Sequence, residues 1–434
     1  MTASATFSTD QHVLRAGMVG MGMIFDETYR PFFEQAGAVG IYDPSFGVCR
    51  VPLAAVASRT GSRAEAYRRA AAGKVGDFQS FREPDSIRQL LKTDVDFVCV
   101  ATPDDRHFAA AKAVLEAGKH LLVEKPSVLS LAELDELDRL ARQHGVLAKV
   151  VYHKLLDPDH KKLRTLVVDG DLRHVNHGYC SLLEPKSISG GQFAEWIVGR
   201  NPGTYVAVHY IKLIDFTFGG RLKSVACTGQ RGLVGKPDGP TWDSTQLRLI
   251  YEYDDRREAA FDIHTSWVTP DNFPGYVEQE VQFRFDNGVW NGHSRKRGVE
   301  CTIEGQTPLK RKITMNNHYN GTFLEPWGER SQRGYGVEVL ERFVREVAQV
   351  EFGGPPGDRD QRLQQARRLA YNDLSADRQT VAAVQAMEAL LARHVGGQPN
   401  CVVEVHSDGL VLLPPGASET EVLYRGVCSN PGEK

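Results

Sequence analysis

The first third of the chain alternates between short apolar runs and amphipathic segments. Residues 96–101 (DFVCVA) are continuously apolar, as expected for a strand that is buried on both faces. Residues 131–143 instead carry leucines at the spacing of one helical face. The same patterns predict further strands at 13–19, 52–58, 120–124 and 147–151 and further helices at 63–72 and 108–117. This alternation predicts an α/β domain with a parallel sheet.

From about residue 152 the pattern changes to strand-like runs without regular helices between them. The runs cover 174–183, 222–229, 246–253, 259–267, 277–285 and 300–304. Asp286–Asn287–Gly288 is typical of a hairpin turn between two of them. This half therefore predicts an α+β domain with a large, mainly antiparallel sheet, followed by helices near 336–350 and 376–394.

Four segments follow from these patterns. We expect a flexible N-terminus at 1–12, an α/β domain at 13–152, an α+β domain at 153–395, and a C-terminal extension at 396–434. The extension is rich in Gly, Pro and Ser and has one β-like patch at 401–405, so we expect it to be peripheral.

Composition and charge narrow the class of protein. Of the 434 residues, 41% are hydrophobic and 25% charged, and the formal net charge is only -3, which predicts neither nucleic-acid nor membrane partners. Seven scattered cysteines without a CxxC motif favour reduced thiols in the cytoplasm. We find no signal-peptide pattern, no apolar stretch of 18 residues, and neither HExxH nor a Cys/His cluster, so we expect no membrane span and no metal.

The first strand runs into a glycine-containing turn, Gly20–Met21–Gly22–Met23–Ile24–Phe25. Two glycines at this spacing let the backbone approach a pyrophosphate at a helix N-terminus, so Gly20, Gly22, Met23 and Ile24 are candidate cofactor contacts. Phe25 stands at the third position of a GxGxxG motif, which makes the motif weak by itself.

Two positions are candidates for the contact with the adenosine ribose, which distinguishes NAD from NADP. A count of about 20 residues from the glycines reaches Asp43, but 43–47 reads as a loop inside an insertion at 38–50. The second strand ends at Ser58–Arg59, and these side chains suit a 2′-phosphate. We therefore favour NADP over NAD, although Arg59 could also be solvated or stack on adenine.

A lysine follows the strand at 120–124 in the sequence Glu124–Lys125–Pro126. Ligands of open α/β sheets bind outside the carboxyl ends of the strands, so Lys125 is placed to meet a substrate. A desolvated lysine can act as a general acid or base, and Pro126 could be cis. The alternative is a salt-bridged surface lysine.

Several short motifs together resemble one family. The chain has GMVGMG at 17–22, ATP at 101–103, His107, AGKH at 117–120 and EKP at 124–126, and it resembles the glucose–fructose oxidoreductase/inositol dehydrogenase (Gfo/Idh/MocA) family over residues 13–158. The resemblance implies that residues 13–152 form a dinucleotide-binding Rossmann domain. It implies that residues 153–395 form a substrate-binding and oligomerisation domain whose open sheet packs against another subunit, with the substrate between the domains. It also implies that Thr102 and Pro103 line the cofactor, that His107 lies near it, that Glu124 contacts the nicotinamide ribose, and that Lys125 hydrogen-bonds the reacting oxygen.

The family's second catalytic motif has an Asp followed four residues later by a His. Here Tyr205 stands at the Asp position, His209 at the His position and Lys212 where a second Asp often occurs. The i, i+4 and i+7 spacing predicts one helix face, directed into one pocket with Lys125. Ordinary helix packing is the alternative for Tyr205 and His209. Lys154 falls where relatives often carry a basic residue, and Trp196 and Trp267 could stack on a sugar ring.

These observations favour an NAD(P)-dependent oxidoreductase that acts on a sugar, cyclitol or glycoside and forms a homodimer or homotetramer through the C-terminal sheet. Lys125, assisted by His209 and Tyr205, would handle the hydroxyl proton. Two alternatives stay open. One is a redox-neutral glycosidase with tightly held NAD, and the other is a non-catalytic dinucleotide-binding sensor.

Overall fold

The computed structural model describes residues 10–71, 73–187, 196–234, 239–271, 277–293, 299–303, 311–315, 318–328, 330–368, 371–416 and 420–426. The strands, numbered in chain order, are β1 Gln11–Val13, β2 Ala16–Val19, β3 Ile41–Asp43, β4 Gly47–Arg50, β5 Leu53–Ser58, β6 Gln79–Arg82, β7 Phe97–Val100, β8 His120–Glu124, β9 Ala148–Val151, β10 Val175–Pro185, β11 Arg221–Gln230, β12 Ser244–Glu252, β13 Glu258–Thr269, β14 Glu278–Phe285, β15 Val289–His293, β16 Val299–Ile303, β17 Arg311–Met315, β18 Gly321–Leu324, β19 Arg330–Arg333, β20 Val402–His406, β21 Gly409–Leu413 and β22 Glu421–Arg425.

The helices follow the same order. They are α1 Arg30–Ala36, α2 Ser62–Ala70, α3 Ser86–Leu90, α4 His107–Glu116, α5 Leu131–Gln143, α6 Pro158–Val168, α7 Val208–Phe218, α8 Tyr335–Phe352, α9 Arg359–Arg368 and α10 Arg378–Val395. Wide π-helical turns at Phe25–Tyr29 and Gly203–Ala207 precede α1 and α7. Within the described part of the chain, no helix is long and apolar enough to span a lipid bilayer.

The chain folds into two compact units. The first holds the described residues of Met1–Val128, Glu133–Leu156 and Tyr319–Asp377, and the second holds those of Leu129–Ala132, Asp157–His318 and Arg378–Lys434. The sequence had predicted one boundary near residue 152 and a separate extension after residue 395. The observed division differs because residues 319–377 return to the first unit.

A six-stranded parallel sheet forms the centre of the first unit. Its strand order is β6-β5-β2-β7-β8-β9, which is the order of the doubly wound dinucleotide-binding fold. β7 is buried along its whole length, as its continuous apolar sequence predicts. In this fold, ligands bind at the carboxyl ends of the strands beside the point where the strand order reverses, here between β2 and β7.

Helix α8 explains why the C-terminal half contributes to the first unit. One face of α8 is apolar and buried, and its Phe343 ring meets the Phe97 ring of β7 edge-on at 5.5 Å. The buried residues on this face include Val337, Leu340, Phe343, Val344 and Val347. An amphipathic helix must bury its apolar stripe, and local sequence does not say which sheet will cover it.

The start of the chain and the insertion at 38–50 build a second, small sheet. Strands β3 and β4 form an antiparallel hairpin, and β1 pairs with β4 in parallel, so the order is β1-β4-β3. The His12 ring stacks on Phe352 at 4.2 Å. The prediction of a flexible segment at 1–12 is therefore wrong for residues 11 and 12, and residues 1–9 lie outside the described part. The loop prediction at 43–47 is wrong for its two end residues, which belong to β3 and β4.

A nine-stranded sheet dominates the second unit, in the order β15-β14-β10-β13-β12-β11-β20-β21-β22. All neighbouring pairs are antiparallel except β10 with β13, so the predicted fold class is confirmed with one parallel pair added. The expectation of a peripheral C-terminal extension is wrong where it is described. Strands β20 to β22 extend the sheet, and their apolar residues Val403, Leu410 and Leu412 are fully buried.

Candidate functional site

The glycine turn after β2 lies against the end of β7. Gly20 has φ +91°, and a Cβ built there would come within 2.3 Å of the Ala101 carbonyl oxygen. Only glycine fits this position, because both the backbone conformation and the space exclude a side chain. A Cβ at Gly22 meets no atom within 4 Å. The first glycine thus serves the close approach of two strands, and the second leaves open space for a ligand.

Phe25 occupies the third glycine position as a buried core residue. Its ring packs edge-on against Tyr67 at 5.1 Å, and it begins the π-helical turn Phe25–Tyr29. In the GxGxxG motif the third glycine permits close packing of helix against strand. The wide turn and the aromatic ring replace that packing here. Met23 and Ile24 lie between the second glycine and this turn, and both are partly buried.

The end of β5, where the sequence predicts contacts with the adenosine ribose, has arginines beside it but no carboxylate. Ser58 ends β5 and accepts a hydrogen bond from the Gly61 N–H at 3.2 Å, and Arg59 is exposed. Asp43, the other candidate for the ribose, instead pairs with Arg345 at 3.1 Å. Arg82 ends β6 directly beside Ser58 in the strand register. Arg82 was not predicted as a site residue from the sequence. The signal was available, because Arg82 ends β6 much as Arg59 follows the end of β5.

His107 joins the ends of β7 and β8. Its Nδ1 lies 2.7 Å from the Pro126 carbonyl oxygen, and its Nε2 lies 2.8 Å from that of Thr102. Burial, and the charge of Lys125 with it, lower the pKa of His107, so the ring is neutral near pH 7. A neutral imidazole donates from one nitrogen only, so one of the two contacts is a hydrogen bond at a time.

Thr102 has a buried hydroxyl that has no hydrogen-bond partner among the described residues. Buried hydroxyls are normally satisfied, so this group is available to a ligand at the reversal point of the sheet. Together with the open space at Gly22, it fits a bound dinucleotide. Pro103 follows Thr102 and precedes the short 3₁₀ turn Asp104–Arg106.

Glu124 is buried at the end of β8, with 6% of its surface exposed. The Tyr29 hydroxyl donates a hydrogen bond to its Oε1 at 3.0 Å, and His153 Nε2 lies 3.9 Å from the same oxygen. Burial raises the pKa of Glu124 to about 7, although the Lys125 charge and the Tyr29 hydrogen bond act in the opposite direction. Neither Tyr29 nor His153 belongs to a recognisable motif, so local sequence gives no signal for either residue.

Two amines flank the ends of β8 and β9. Lys125 is half-buried, and its peptide bond to Pro126 is cis. Lys154 is buried in the 3₁₀ turn His153–Leu156 that follows β9. Burial, assisted by the charges of Lys125 and Lys154, lowers the pKa of His153 to about 3. His153 is therefore neutral at pH 7, and both amines lie within electrostatic range of it.

The second predicted motif lies in the other unit and spans two kinds of helix. Tyr205 is in the π-helical turn Gly203–Ala207, whereas His209 and Lys212 are in α7. The three residues therefore do not lie in one regular α-helix, because the π turn interrupts the 3.6-residue period before α7. That they share one face stays a prediction. Lys212 is buried, and its Nζ lies 3.3 Å from Asp215 Oδ2.

Aromatic rings surround Tyr205. The Trp196 ring centroid lies 4.6 Å away and that of Trp267 lies 6.3 Å away. Trp267 is only 1% exposed and donates a hydrogen bond from Nε1 to Glu184 Oε2 at 2.9 Å, so it is a core residue that cannot stack on a sugar. Trp196 is partly exposed.

Known proteins resemble the chain in two ways. Local segments match curated enzymes. Scyllo-inositol 2-dehydrogenase (NADP(+)) of Bacillus subtilis is 33% identical over 82 residues, or 19% of this chain and 23% of that enzyme. D-xylose dehydrogenase of Paenarthrobacter nicotinovorans is 42% identical over 76 residues, or 18% and 20%. The chain spans about a quarter of the length of the curated relatives it matches.

The similarity of fold extends over nearly the whole chain. The solved structure of scyllo-inositol dehydrogenase from Lactobacillus casei, with bound NAD(H) and scyllo-inositol, covers 90% of this chain and 99% of its own with a TM-score of 0.62. At 12% identity this likeness concerns the fold alone. The family model for the GFO_IDH_MocA oxidoreductase family, NAD-binding Rossmann fold, matches residues 14–152. The strand order, the glycine turn and this match agree, and residues 14–152 are an NAD-binding Rossmann domain of the Gfo/Idh/MocA oxidoreductase family.

Proposed function

We propose that the protein is an NAD(P)-dependent dehydrogenase or reductase that acts on a CH–OH group of a sugar, cyclitol or glycoside. The observation that carries the proposal is Lys125, a half-buried amine beside Glu124 at the carboxyl end of β8. This is the edge at which a sheet of this topology binds its ligands. The names of the curated relatives, an inositol and a xylose dehydrogenase, support the polyol or sugar class.

The chain's own residues would bind the cofactor and move one proton. Gly20, Gly22 and the helix start at Met23 and Ile24 would hold the pyrophosphate, and Thr102 with Pro103 would line the nicotinamide half. When bound, the nicotinamide supplies the hydride acceptor or donor. Lys125 would hydrogen-bond the reacting oxygen and take up or return its proton.

Other side chains would support this chemistry. Glu124 would contact the nicotinamide ribose, and neutral His107 would hold the two strand ends. His209 is the second candidate acid–base group, because an imidazole titrates in the range that proton transfer near neutral pH requires. Tyr205, Lys154, Trp196 and Lys212 are proposed as substrate contacts.

We further propose a preference for NADP over NAD. Arg59 and Arg82 are both exposed, neither has an ion pair among the described side chains, and each stands beside Ser58 at the ends of adjacent strands. A guanidinium binds a phosphate with paired, charge-assisted hydrogen bonds. The uncharged ribose hydroxyl of NAD cannot form such a pair. The alternative ribose reader, Asp43, is already engaged by Arg345.

The test is the absorbance of reduced nicotinamide when the purified protein is incubated with NAD⁺ or NADP⁺ and a panel of inositols, aldoses and glycosides. Lys125→Ala is expected to lower kcat at least about a hundredfold. Lys92→Ala, which removes an exposed lysine outside the proposed site, is the matched control. A panel on which the wild type turns over no substrate would contradict the dehydrogenase proposal.

One observation favours keeping a second function. Tyr205 stands where the family's acid–base motif has an Asp, and it is packed against Trp196 and Trp267. A redox-neutral glycosidase would keep its NAD through purification and cleave a glycoside without net change in nicotinamide absorbance. Dinucleotide binding with neither turnover nor cleavage would instead favour a sensor.

A further inference from the structure

A buried carboxylate outside the motifs holds the two strand ends that carry the lysines. Asp377 has no exposed surface. Its Oδ2 accepts a hydrogen bond from the Ser127 hydroxyl at 2.6 Å, and its Oδ1 accepts one from the Tyr152 hydroxyl at 2.6 Å. Both donors are themselves buried. A buried carboxylate is tolerated only where its oxygens are satisfied, and here each oxygen receives a hydroxyl donor.

The two donors lie next to the two amines of the proposed site. Ser127 is two residues after Lys125, and Tyr152 is two residues before Lys154. Asp377 therefore connects the loop after β8 with the turn after β9. Because each oxygen has a donor, the orientation of the Asp377 carboxylate is fixed. Its distances from the loop after β8 and from the turn after β9 are fixed as well.

The segment that carries Asp377 is itself docked on β9. Asn372 exchanges hydrogen bonds with Val150, from the Val150 N–H to the Asn372 carbonyl at 2.8 Å and from the Asn372 amide to the Val150 carbonyl at 2.9 Å. Asp373 then accepts hydrogen bonds from Ser375 at the start of the 3₁₀ turn Leu374–Asp377. The carboxylate is thus presented from a rigid support.

We propose that Asp377 is a positioning residue that sets the placement of Lys125 and Lys154. The inference rests on the proposed function, in which Lys125 meets the reacting oxygen. Proton transfer depends steeply on geometry, so a small displacement of the amine lowers turnover with little effect on dinucleotide binding. Asp377 would contact neither cofactor nor substrate, and it would act through Ser127 and Tyr152.

The test compares three variants. Asp377→Asn replaces one accepting oxygen with a donating amide, so one hydroxyl loses its acceptor. Ser127→Ala and Tyr152→Phe each delete one donor and keep the carboxylate. Asp373→Asn is the matched control, because it changes a buried carboxylate of the same segment whose hydrogen-bond donor within the described part of the chain is Ser375.

Two readouts separate positioning from general loss of structure. The first is the trace acetylation rate of each lysine by acetic anhydride at about pH 8, read by peptide mass spectrometry. Asp377→Asn is expected to change the rates of Lys125 and Lys154 at least about threefold, with Lys92 unchanged. The second is steady-state kinetics, in which kcat falls about tenfold or more while KM for the dinucleotide changes less than about twofold.

Wild-type acetylation rates at Lys125 and Lys154 in all folded variants would overturn the proposal. If Asp377→Asn does not fold, Ser127→Ala and Tyr152→Phe decide the question by the same labelling measurement. If the wild type turns over no member of the substrate panel, the dehydrogenase proposal fails, whereas altered labelling would still support positioning by Asp377.

Discussion

The Tyr29 hydroxyl donates a hydrogen bond to Glu124 Oε1 at 3.0 Å, although 95 residues separate them. Tyr29 belongs to the π-helical turn after the glycine motif, and Glu124 ends β8. The contact therefore joins the proposed dinucleotide turn to the end of β8, directly before Lys125. It also stabilises a carboxyl group whose pKa burial raises to about 7.

This pKa predicts a specific pH dependence of stability. Folded Glu124 holds its proton up to about pH 7, whereas the unfolded chain releases it near the ordinary glutamate pKa of 4.5. The stability that this proton contributes is complete below about pH 4.5 and is lost as the pH rises through 7. Wild type should therefore lose roughly 2 to 3 kcal/mol of unfolding free energy between about pH 4.5 and pH 8 through this group. Glu124→Gln has no such titration, so its unfolding free energy should rise by that amount relative to wild type over the same range.

Urea unfolding at several pH values measures this difference. Glu116→Gln, at an exposed glutamate of α4, is the control and should show no such trend. Stability curves of Glu124→Gln and wild type that run parallel across this range would contradict the raised pKa.

The two glycines of the turn should respond differently to alanine. Gly20→Ala forces a Cβ to within 2.3 Å of the Ala101 carbonyl at positive φ, so it should lower unfolding stability by about 2 kcal/mol or more. Gly22→Ala meets no neighbour within 4 Å and should leave the unliganded melting temperature unchanged. It should nevertheless weaken NADH or NADPH binding at least about tenfold, because the methyl group occupies the space proposed for the pyrophosphate.

Calorimetry of the unliganded variants and nicotinamide fluorescence titration separate the two effects. Wild-type dinucleotide affinity in Gly22→Ala would contradict the assignment of this turn to the pyrophosphate.

The NADP preference should reside in two arginines. Arg59→Ala and Arg82→Ala should each weaken NADPH binding about tenfold to a hundredfold and change NADH binding less than about twofold, because only NADPH carries the 2′-phosphate. Arg88→Ala, at an exposed position of α3, is the control. Fluorescence titration at two salt concentrations measures both cofactors. Equal losses of binding affinity for NADH and NADPH would indicate that the arginines contact a part of the molecule that the two cofactors share.

Asn201 should support the π-helical turn that carries Tyr205. Its Oδ1 accepts the Thr204 N–H at 2.7 Å, and its Nδ2 donates to Glu388 Oε1 at 2.8 Å. Asn201→Ala leaves the Thr204 N–H without its acceptor and removes one donor from Glu388, at a cost of about 1 to 3 kcal/mol in unfolding free energy.

The tryptophans Trp196 and Trp267 provide a local signal, since both rings pack against Tyr205. Asn201→Ala should therefore shift the tryptophan emission spectrum in the native state as well as lower the melting temperature. An unchanged spectrum together with unchanged stability would refute this role.

The sequence was a good guide wherever local pattern carries the information. The buried strand β7 and the amphipathic helix α5 follow directly from their apolar spacing. The positive φ of Gly20 and the position of Lys125 at a strand end follow from motif and strand order. The hairpin β3–β4 was missed because 38–50 was read as an insertion loop, although its Asp, Ser and Gly residues fit a turn between strands.

The remaining errors have a common cause. The π turn Gly203–Ala207 is stabilised by the contacts of Asn201, Thr204 and Glu388, which lie up to 187 residues apart. The return of α8 to the first unit depends on which sheet face covers its apolar stripe. Neither relation leaves a periodic trace in the local sequence.

The α/β and α+β halves, the glycine turn and the lysine motif can be inferred from local residue patterns, because backbone propensity and strand order act over short stretches. Three other relationships come from tertiary packing: Tyr29 meets Glu124, His107 lies between the carbonyls of Thr102 and Pro126, and Asp377 accepts from Ser127 and Tyr152. Such pairs form because buried polar groups must find partners, and the nearest partner in space is set by the packing of the whole unit rather than by its neighbours along the chain.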